Sequence, residues 1–297
     1  MFIRESIYTL RIENKNYMAI NEKSEVLVPA LSPYCPKQFI DFESFISGEK
    51  NLKDLIEYCN TNEIFKTNKY ESILSPILST KQNIMCMGLN YRDHIEETGT
   101  AFQRDIKIPK VPIVFTKSVS SINHPFAEIP YNPSVSKEID WEVELAVVIS
   151  DECFNVSRED AYDVVFGYTI INDISARDIQ RNHKQFFLGK SLPGSCPIGP
   201  CIVTKDEVED PHSLNIECCV NGIVKQKSNT KFQIFDIPKQ IETITKSVKL
   251  FPGDVIATGT PSGVGFARNP PEFLKNGDVV SCKIEKIGQI ENKVTYQ

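Results

Sequence analysis

Apolar positions in the first 75 residues follow a period of two at first and a period near 3.6 afterwards. Tyr8, Leu10 and Ile12 alternate with polar neighbours, Asn14-Lys15-Asn16 offers a turn and Ala19-Ile20 follows, which predicts a β-hairpin. Leu52, Leu55, Ile56 and Cys59 then share one face of a short amphipathic helix, with Asn51 as its expected N-cap. Residues 1–75 are therefore expected to form a small N-terminal α+β domain, and residues 76–297 a larger one.

From Ile84 onward, short β-branched runs recur: 113–115, 143–149, 164–171, 201–203, 216–220, 255–256 and 279–284. Pro, Gly, Asn and Asp separate them, so the larger domain is expected to be β-rich within an α+β fold class. Asn221-Gly222 between two such runs predicts a tight hairpin turn. Asp236-Ile237-Pro238 opens a helix carrying Ile241, Ile244 and Val248, which Phe251-Pro252-Gly253 is expected to end.

Carboxylates interrupt one apolar run. In Asp140-Trp141-Glu142-Val143-Glu144-Leu145 the two glutamates lie two apart, so a strand puts both on one face, about 7 Å apart. A hard divalent cation (Mg²⁺, Mn²⁺ or Ca²⁺) would neutralise their repulsion; a solvated outer face is the alternative. Past the run 167–171, Asp173, Arg177 and Gln180 fall on one stripe if a helix follows, although an acid at such a junction also serves as a helix cap and a lone arginine as a surface ion-pair residue. His94 and Glu97 sit three apart, so one helical turn sets imidazole against carboxylate, as a general base requires; a surface turn is the other possibility. His124, His183 and His212 have no such partner nearby in sequence and are expected to be structural.

Two glycine-containing segments resemble anion cradles. Gly189-Lys190-Ser191 imitates the end of a P-loop, but Lys184 stands where that motif needs its first glycine, so the motif is rejected. The loop Thr258–Gly265 lacks the lysine, yet its backbone amides and threonine hydroxyls could hold a carboxylate; a plain flexible turn is the other possibility.

Charge and composition narrow the partners. A net charge of -6 without clustered basic residues argues against nucleic acid or an anionic membrane surface, and no window supplies the roughly 20 apolar residues of a membrane span. The N-terminus resembles neither a signal peptide nor a transit segment, so a cytoplasmic location is expected, with the mitochondrial matrix as the alternative. Nine irregularly spaced cysteines do not form a disulfide framework, and Cys196 and Cys201 are expected to be buried thiols rather than zinc ligands.

Five ordered segments then resemble a known family: Gly88-Leu89-Asn90-Tyr91 with His94, the run 140–148, Asp173-Ile174-Ser175-Ala176-Arg177-Asp178, Gly189-Lys190-Ser191, and 253–261. Their order is that of the fumarylacetoacetate hydrolase (FAH) family, and Pro271-Glu272-Phe273-Leu274-Lys275-Asn276-Gly277-Asp278 is most similar to its domain-containing protein 2 group. The resemblance implies a mixed β-sandwich roll for a catalytic domain, a divalent metal on Glu142, Glu144 and Asp173, and a homodimer. It places Lys190 beside the metal, Arg177, Gln180, Thr260 and Lys117 against substrate, and His94 with Glu97 as a dyad on a mobile segment. One departure follows the lysine, at Leu192-Pro193-Gly194-Ser195.

The substrate so implied is a small 2-oxo or 1,3-dioxo acid, activated through a metal-stabilised enolate. Hydrolysis of a carbon–carbon bond, as in an acylpyruvate hydrolase, is the leading expectation. Oxaloacetate tautomerase or decarboxylase is the alternative, and a non-catalytic metal- or ligand-binding relative is a third.

Overall fold

The N-terminal hairpin forms, with its turn one residue earlier than the pattern suggests. In the computed structural model, which describes residues 6–22, 25–31, 35, 37–39, 41–48, 52–61, 69–103 and 105–297, β1 (Ser6–Ile12) pairs antiparallel with β2 (Lys15–Glu22). Glu13 and Asn14 make the turn with φ of 48° and 60°, the left-handed pair whose twist suits a two-residue hairpin. Lys15 and Asn16 are already in the ladder, opposite Ile12 and Arg11.

Next come β3 (Glu25–Leu27), α1 (Phe42–Ser47), α2 (Leu52–Thr61), β4 (Ser72–Leu74), β5 (Ile84–Gly88), α3 (Arg92–Ala101), β6 (Ile113–Lys117) and β7 (Ile122–Asn123). Leu55 and Cys59 of α2 are buried as their spacing predicts, whereas the expected cap Asn51 lies outside the described residues. The chain continues through β8 (Ile129–Tyr131), β9 (Ile139–Asp140), β10 (Val143–Ile149), β11 (Val165–Asn172), β12 (Ser175–Ala176), α4 (Arg177–His183), α5 (Phe187–Lys190) and β13 (Cys196–Thr204). It ends with β14 (Asn215–Val220), β15 (Ile223–Asn229), α6 (Ile237–Thr245), β16 (Val255–Ala257), β17 (Val279–Ile284) and β18 (Gly288–Tyr296).

Asn221-Gly222 turns between β14 and β15 as expected, both residues at positive φ. Asp236 caps α6 by accepting the Lys239 N–H, but the helix stops at Thr245. Val248 is therefore off the helix, and Phe251-Pro252-Gly253 leads into β16 rather than ending α6.

The main sheet runs β3-β2-β1-β13-β11-β10-β16-β5-β6, with β4 beside β1 and β7 beside β13. A second sheet runs β15-β14-β17-β18-β8, and β9 with β12 forms a short ribbon. Most pairs are antiparallel, while β16–β5, β13–β7 and β18–β8 are parallel, so the mixed-β architecture implied by the resemblance is present. β1 bonds directly to β13, so the sheet crosses residue 75 without a break.

Strand β10 lies in the middle of this stack and is buried on both faces. Val143, Leu145, Val147 and Ile149 pack in one cluster with Ile216, Val280 and Ile290 of the second sheet. Ala146 and Val148 pack in the other, with Phe42, Phe45 and Leu55 of the N-terminal helices. Phe45 stands edge-on to Phe166 of β11, the ring centroids 6.0 Å apart. Phe45→Ala is expected to cost about 3–5 kcal/mol, the sum of lost transfer energy and the cavity left behind. Urea unfolding would measure it: a shift of the whole transition ties residues 1–75 to the main core, and a separate early transition makes them an independent unit.

Two histidines accept backbone N–H groups, which requires an unprotonated ring nitrogen. His124 Nδ1 takes the Ser75 N–H at 3.1 Å and His212 Nε2 the Ile237 N–H at 3.4 Å. Burial pushes both below the usual histidine range. A depressed folded-state pKa means that the unfolded chain binds the proton first, so their contribution is present above pH ~6.5 and falls away below it. The melting temperature is expected to drop between pH 7 and pH 5, with a smaller drop in His124→Gln.

Candidate active site

Glu142 and Glu144 extend the even-numbered row of β10 toward one end of the sheet, and the chain pairing fixes what faces them. Glu142 N–H donates to Asn172 Oδ1 at 3.1 Å, and Asp173 N–H donates to the Glu142 carbonyl at 2.8 Å. The end of β11 thus sets Asp173 beside the two glutamates. All three carboxylates are buried, which excludes the solvated outer face, and one ligand oxygen from each lies within 4.8 Å of the others.

Asp173 does not belong to the helical stripe that its spacing suggests. The chain first makes the bridge β12 against β9, and only then does α4 begin at Arg177. Within α4 the predicted pair holds: Arg177 Nη1 donates to Gln180 Oε1 at 3.1 Å. The other guanidinium nitrogens donate to Asp140 Oδ2 (Nε, 2.8 Å) and Glu142 Oε1 (Nη2, 2.5 Å), so Arg177 is a buried clamp rather than a surface ion-pair residue. Helix α5 then packs on α4 through Gly189, where a Cβ would lie 2.8 Å from both the Ala176 carbonyl and the Gln180 nitrogen. That approach delivers Lys190, whose Nζ donates to Glu142 Oε2 at 2.5 Å and Asp173 Oδ2 at 2.7 Å.

Lys117 reaches Asp173 from β6. Its Nζ is 2.8 Å from Asp173 Oδ1 and directs its hydrogen bonds to the Ile174 carbonyl and Ser195 Oγ. It is wholly buried and forms no part of the cavity wall. Nor do Leu192-Pro193-Gly194-Ser195, so the departure after Lys190 leaves that wall unaltered.

The loop Thr258–Gly265 does hold carboxylates, and they are the protein's own. Gly259 N–H donates to Glu144 Oε2 at 2.7 Å, Gly263 N–H to Glu97 Oε2 at 2.8 Å, and Gly265 N–H to Asp140 Oδ1 at 2.6 Å. Gly259 has φ of 98° and a Cβ there would lie 2.7 Å from Asn90 Cβ, so the close approach depends on glycine. Thr260 Oγ1 donates to the Val143 carbonyl and accepts from Gln226 Nε2.

His94 and Glu97 lie on α3 as one helical turn, with His94 Nδ1 2.7 Å from Glu97 Oε1. The contact leaves Nε2 as the free ring nitrogen. A cavity of about 540 Å³ brings His94, Glu142, Glu144, Arg177, Gln180, Lys190 and Thr260 into one wall. Asp173, Glu97 and Lys117 stand behind it. Phe102, Phe115, Phe186 and Phe266 supply the apolar remainder, which lowers the local dielectric and strengthens each charge inside.

Four buried carboxylates (Asp140, Glu142, Glu144, Asp173) face three buried cations (Lys117, Arg177, Lys190), leaving one negative charge in excess. Burial alone would raise the Glu142 carboxyl, but Lys190 and Arg177 outweigh it and hold it well below the usual carboxylate range. Glu144 carries the excess: burial, then the Asp173 and Glu142 charges, push its pKa well up. The buried Asp173 Oδ1 accepts no directed hydrogen bond. A divalent cation fits these facts, since it would fill that lone pair, ionise Glu144 and turn the excess to one positive charge.

Several residues of this site escaped the sequence patterns. Asp140 anchors Arg177 and also accepts from the Trp141, Gly265 and Phe266 amides, and the run 140–145 gave it no role. Phe266 lies under the Arg177 guanidinium, 4.5 Å from its centroid, and nothing local in the sequence marks it.

Residues 83–295 match the family model described as fumarylacetoacetate (FAA) hydrolase C-terminal. This chain belongs to the fumarylacetoacetate hydrolase family. It is thus an FAH-family enzyme on an FAH fold. Among relatives of this FAH-family chain, oxaloacetate tautomerase YisK of Bacillus subtilis is 46% identical over 220 residues, covering 74% of this chain and 72% of that protein. The mitochondrial oxaloacetate tautomerase fahd2 of Xenopus laevis is 43% identical over 267 residues, covering 89% and 81%. In structure, fumarylacetoacetate hydrolase from Exiguobacterium antarcticum superposes with a TM-score of 0.85 at 34% identity, covering 99% of this chain and 100% of that one.

Proposed function

We propose that this chain catalyses keto–enol tautomerisation of a short 2-oxo acid of the oxaloacetate type, with Mg²⁺ held by Glu142, Glu144 and Asp173. The observation that carries the proposal is the opening of a carboxylate-fixed imidazole, His94, onto the same cavity as the carboxylate cluster, Arg177 and Lys190. That pairing of base and cations suits an enolate, and both curated relatives above are named oxaloacetate tautomerases. Carbon–carbon bond hydrolysis, the leading expectation from the resemblance, accordingly gives way to tautomerisation.

Bound Mg²⁺ would supply Lewis acidity, polarising the 2-oxo group and making its enol more acidic. The protein does the rest. Arg177 is already fixed by Asp140, Glu142 and Gln180, so it meets the substrate without reorganising. Gln180 keeps its amide N–H groups for the substrate carboxylate, because its carbonyl oxygen is engaged by Arg177. Lys190 places a positive charge where the enolate oxygen forms.

In this mechanism Glu97 accepts the Nδ1 proton of His94, which leaves the Nε2 lone pair as the base. Nε2 takes the enol hydroxyl proton, and the imidazolium returns a proton to C3. One O–H bond breaks and one C–H bond forms, so the step balances without water.

A direct test follows enol-oxaloacetate and acetylpyruvate by ultraviolet absorbance, each with Mg²⁺ and with chelator. Chelator-sensitive acceleration of enol loss, yielding keto-oxaloacetate, is expected; cleavage of acetylpyruvate to acetate and pyruvate would replace the tautomerase with a hydrolase. The metal has its own readout: Mg²⁺ at 100 times its Kd is expected to add ~2.7 kcal/mol of stability, seen as a higher melting temperature. Glu144→Gln should lose most of that gain, and an equal gain in wild type and variant would remove Glu144 from the ligand set.

A further inference from the structure

The cavity wall contains four cations with fixed positive charge, and three of them are neutralised. Arg177 is held by Asp140 and Glu142, Lys190 by Glu142 and Asp173, and Arg181 by Glu138. Lys184 is the fourth: it lines the same cavity, it is exposed, and no carboxylate among the described residues pairs with it. The wall's own carboxylates, Glu142 and Glu144, are both at the buried end. The open end therefore carries positive charge that nothing in the wall balances.

The backbone at this point is also unusual. Lys184 closes α4 in the left-handed conformation, φ 59° and ψ -22°. For a side chain other than glycine or asparagine that conformation is unfavourable. It turns the chain out of α4 and into α5, which carries Lys190. Along the helix axis Lys184 lies about 10 Å from Arg177, seven residues at ~1.5 Å each.

We propose that Lys184 binds the substrate's second carboxylate and so selects 2-oxo dicarboxylates over 2-oxo monocarboxylates. This rests on the proposed 2-oxo acid site and deepens it by naming the residue that reads the substrate's far end. An acid anchored through its carboxylate and 2-oxo oxygens at the buried end points its remaining carbons toward the opening. A carboxylate there meets the unpaired ammonium, whereas a methyl or aryl group leaves it in water.

Calorimetric binding of malate and lactate in Mg²⁺ buffer separates the two ends, because both carry a carboxylate and a 2-oxygen but only malate has the second carboxylate. Lys184→Met is expected to weaken malate about five- to tenfold, the size of one charge-assisted hydrogen bond, and lactate by less than about twofold. Lys184→Gly, which suits the left-handed backbone, should fold at least as well as wild type and show the same loss, while Lys184→Arg should retain most malate affinity. The KM for enol-oxaloacetate should rise in parallel with the malate Kd. Malate binding no tighter than lactate in the wild type, absent binding included, overturns the inference, as does an equal loss for both ligands in the variants. A malate preference that depends on Lys184 in an enzyme that fails to tautomerise oxaloacetate would keep this inference and sink the tautomerase.

Discussion

His94→Ala is expected to lower turnover of enol-oxaloacetate by about 10²–10⁴, the usual contribution of a positioned general base. The ring touches none of the three proposed ligands, so the Mg²⁺-dependent rise in melting temperature should survive the substitution. Glu97→Gln should have a smaller effect of the same kind: an amide can still meet Nδ1, but it no longer stabilises the imidazolium. Stopped-flow absorbance at saturating substrate reads both. Wild-type turnover in His94→Ala would take proton transfer away from this dyad and leave the cations as the whole of the catalysis.

Arg177→Met should be the most destabilising change in the site. Removing one partner from a buried charge network commonly costs about 3–5 kcal/mol, because the remaining charge stays buried. The lower end is expected here, since Asp140 keeps three backbone N–H donors and Glu142 keeps Lys190. Arg177→Lys should recover little, as one ammonium on a flexible stem cannot span Asp140, Glu142 and Gln180 together. Urea unfolding without Mg²⁺ isolates this effect from metal binding. A loss under ~1 kcal/mol would mean that the clamp contributes little to folding and acts on the substrate alone.

The parts of the site that were legible in the sequence are those set by local periodicity. Glu142 and Glu144 share a face because strand residues two apart do, and His94 meets Glu97, as Arg177 meets Gln180, because helical residues three apart do. The family resemblance supplied what periodicity could not, the joining of Asp173 and Lys190 to that strand. Where local reasoning failed, a tertiary bond had intervened. Asp173 looked helical from its spacing to Arg177, but pairing of β12 with β9 inserts an extended step between them. Lys117 reaches Asp173 across 56 positions of chain, and Asp140 reaches the Gly265 amide across more than a hundred, so neither contact leaves a trace in neighbouring residues. The hairpin turn fell one residue early because Glu13 and Asn14, not Lys15, take up positive φ.

The loop from Thr258 to Phe266 has a consequence for anyone altering this enzyme. Its amides grip Glu144, Glu97 and Asp140 in turn, and these support the proposed metal ligand set, the proposed base and the arginine clamp respectively. A single backbone shift there is transmitted to all three functions together, so loop variants should show mixed phenotypes that no one kinetic parameter can disentangle. Libraries aimed at new substrates would do better to leave that span untouched and to vary the exposed rim at Lys184, where a side chain can change without any carboxylate among the described residues losing its donor.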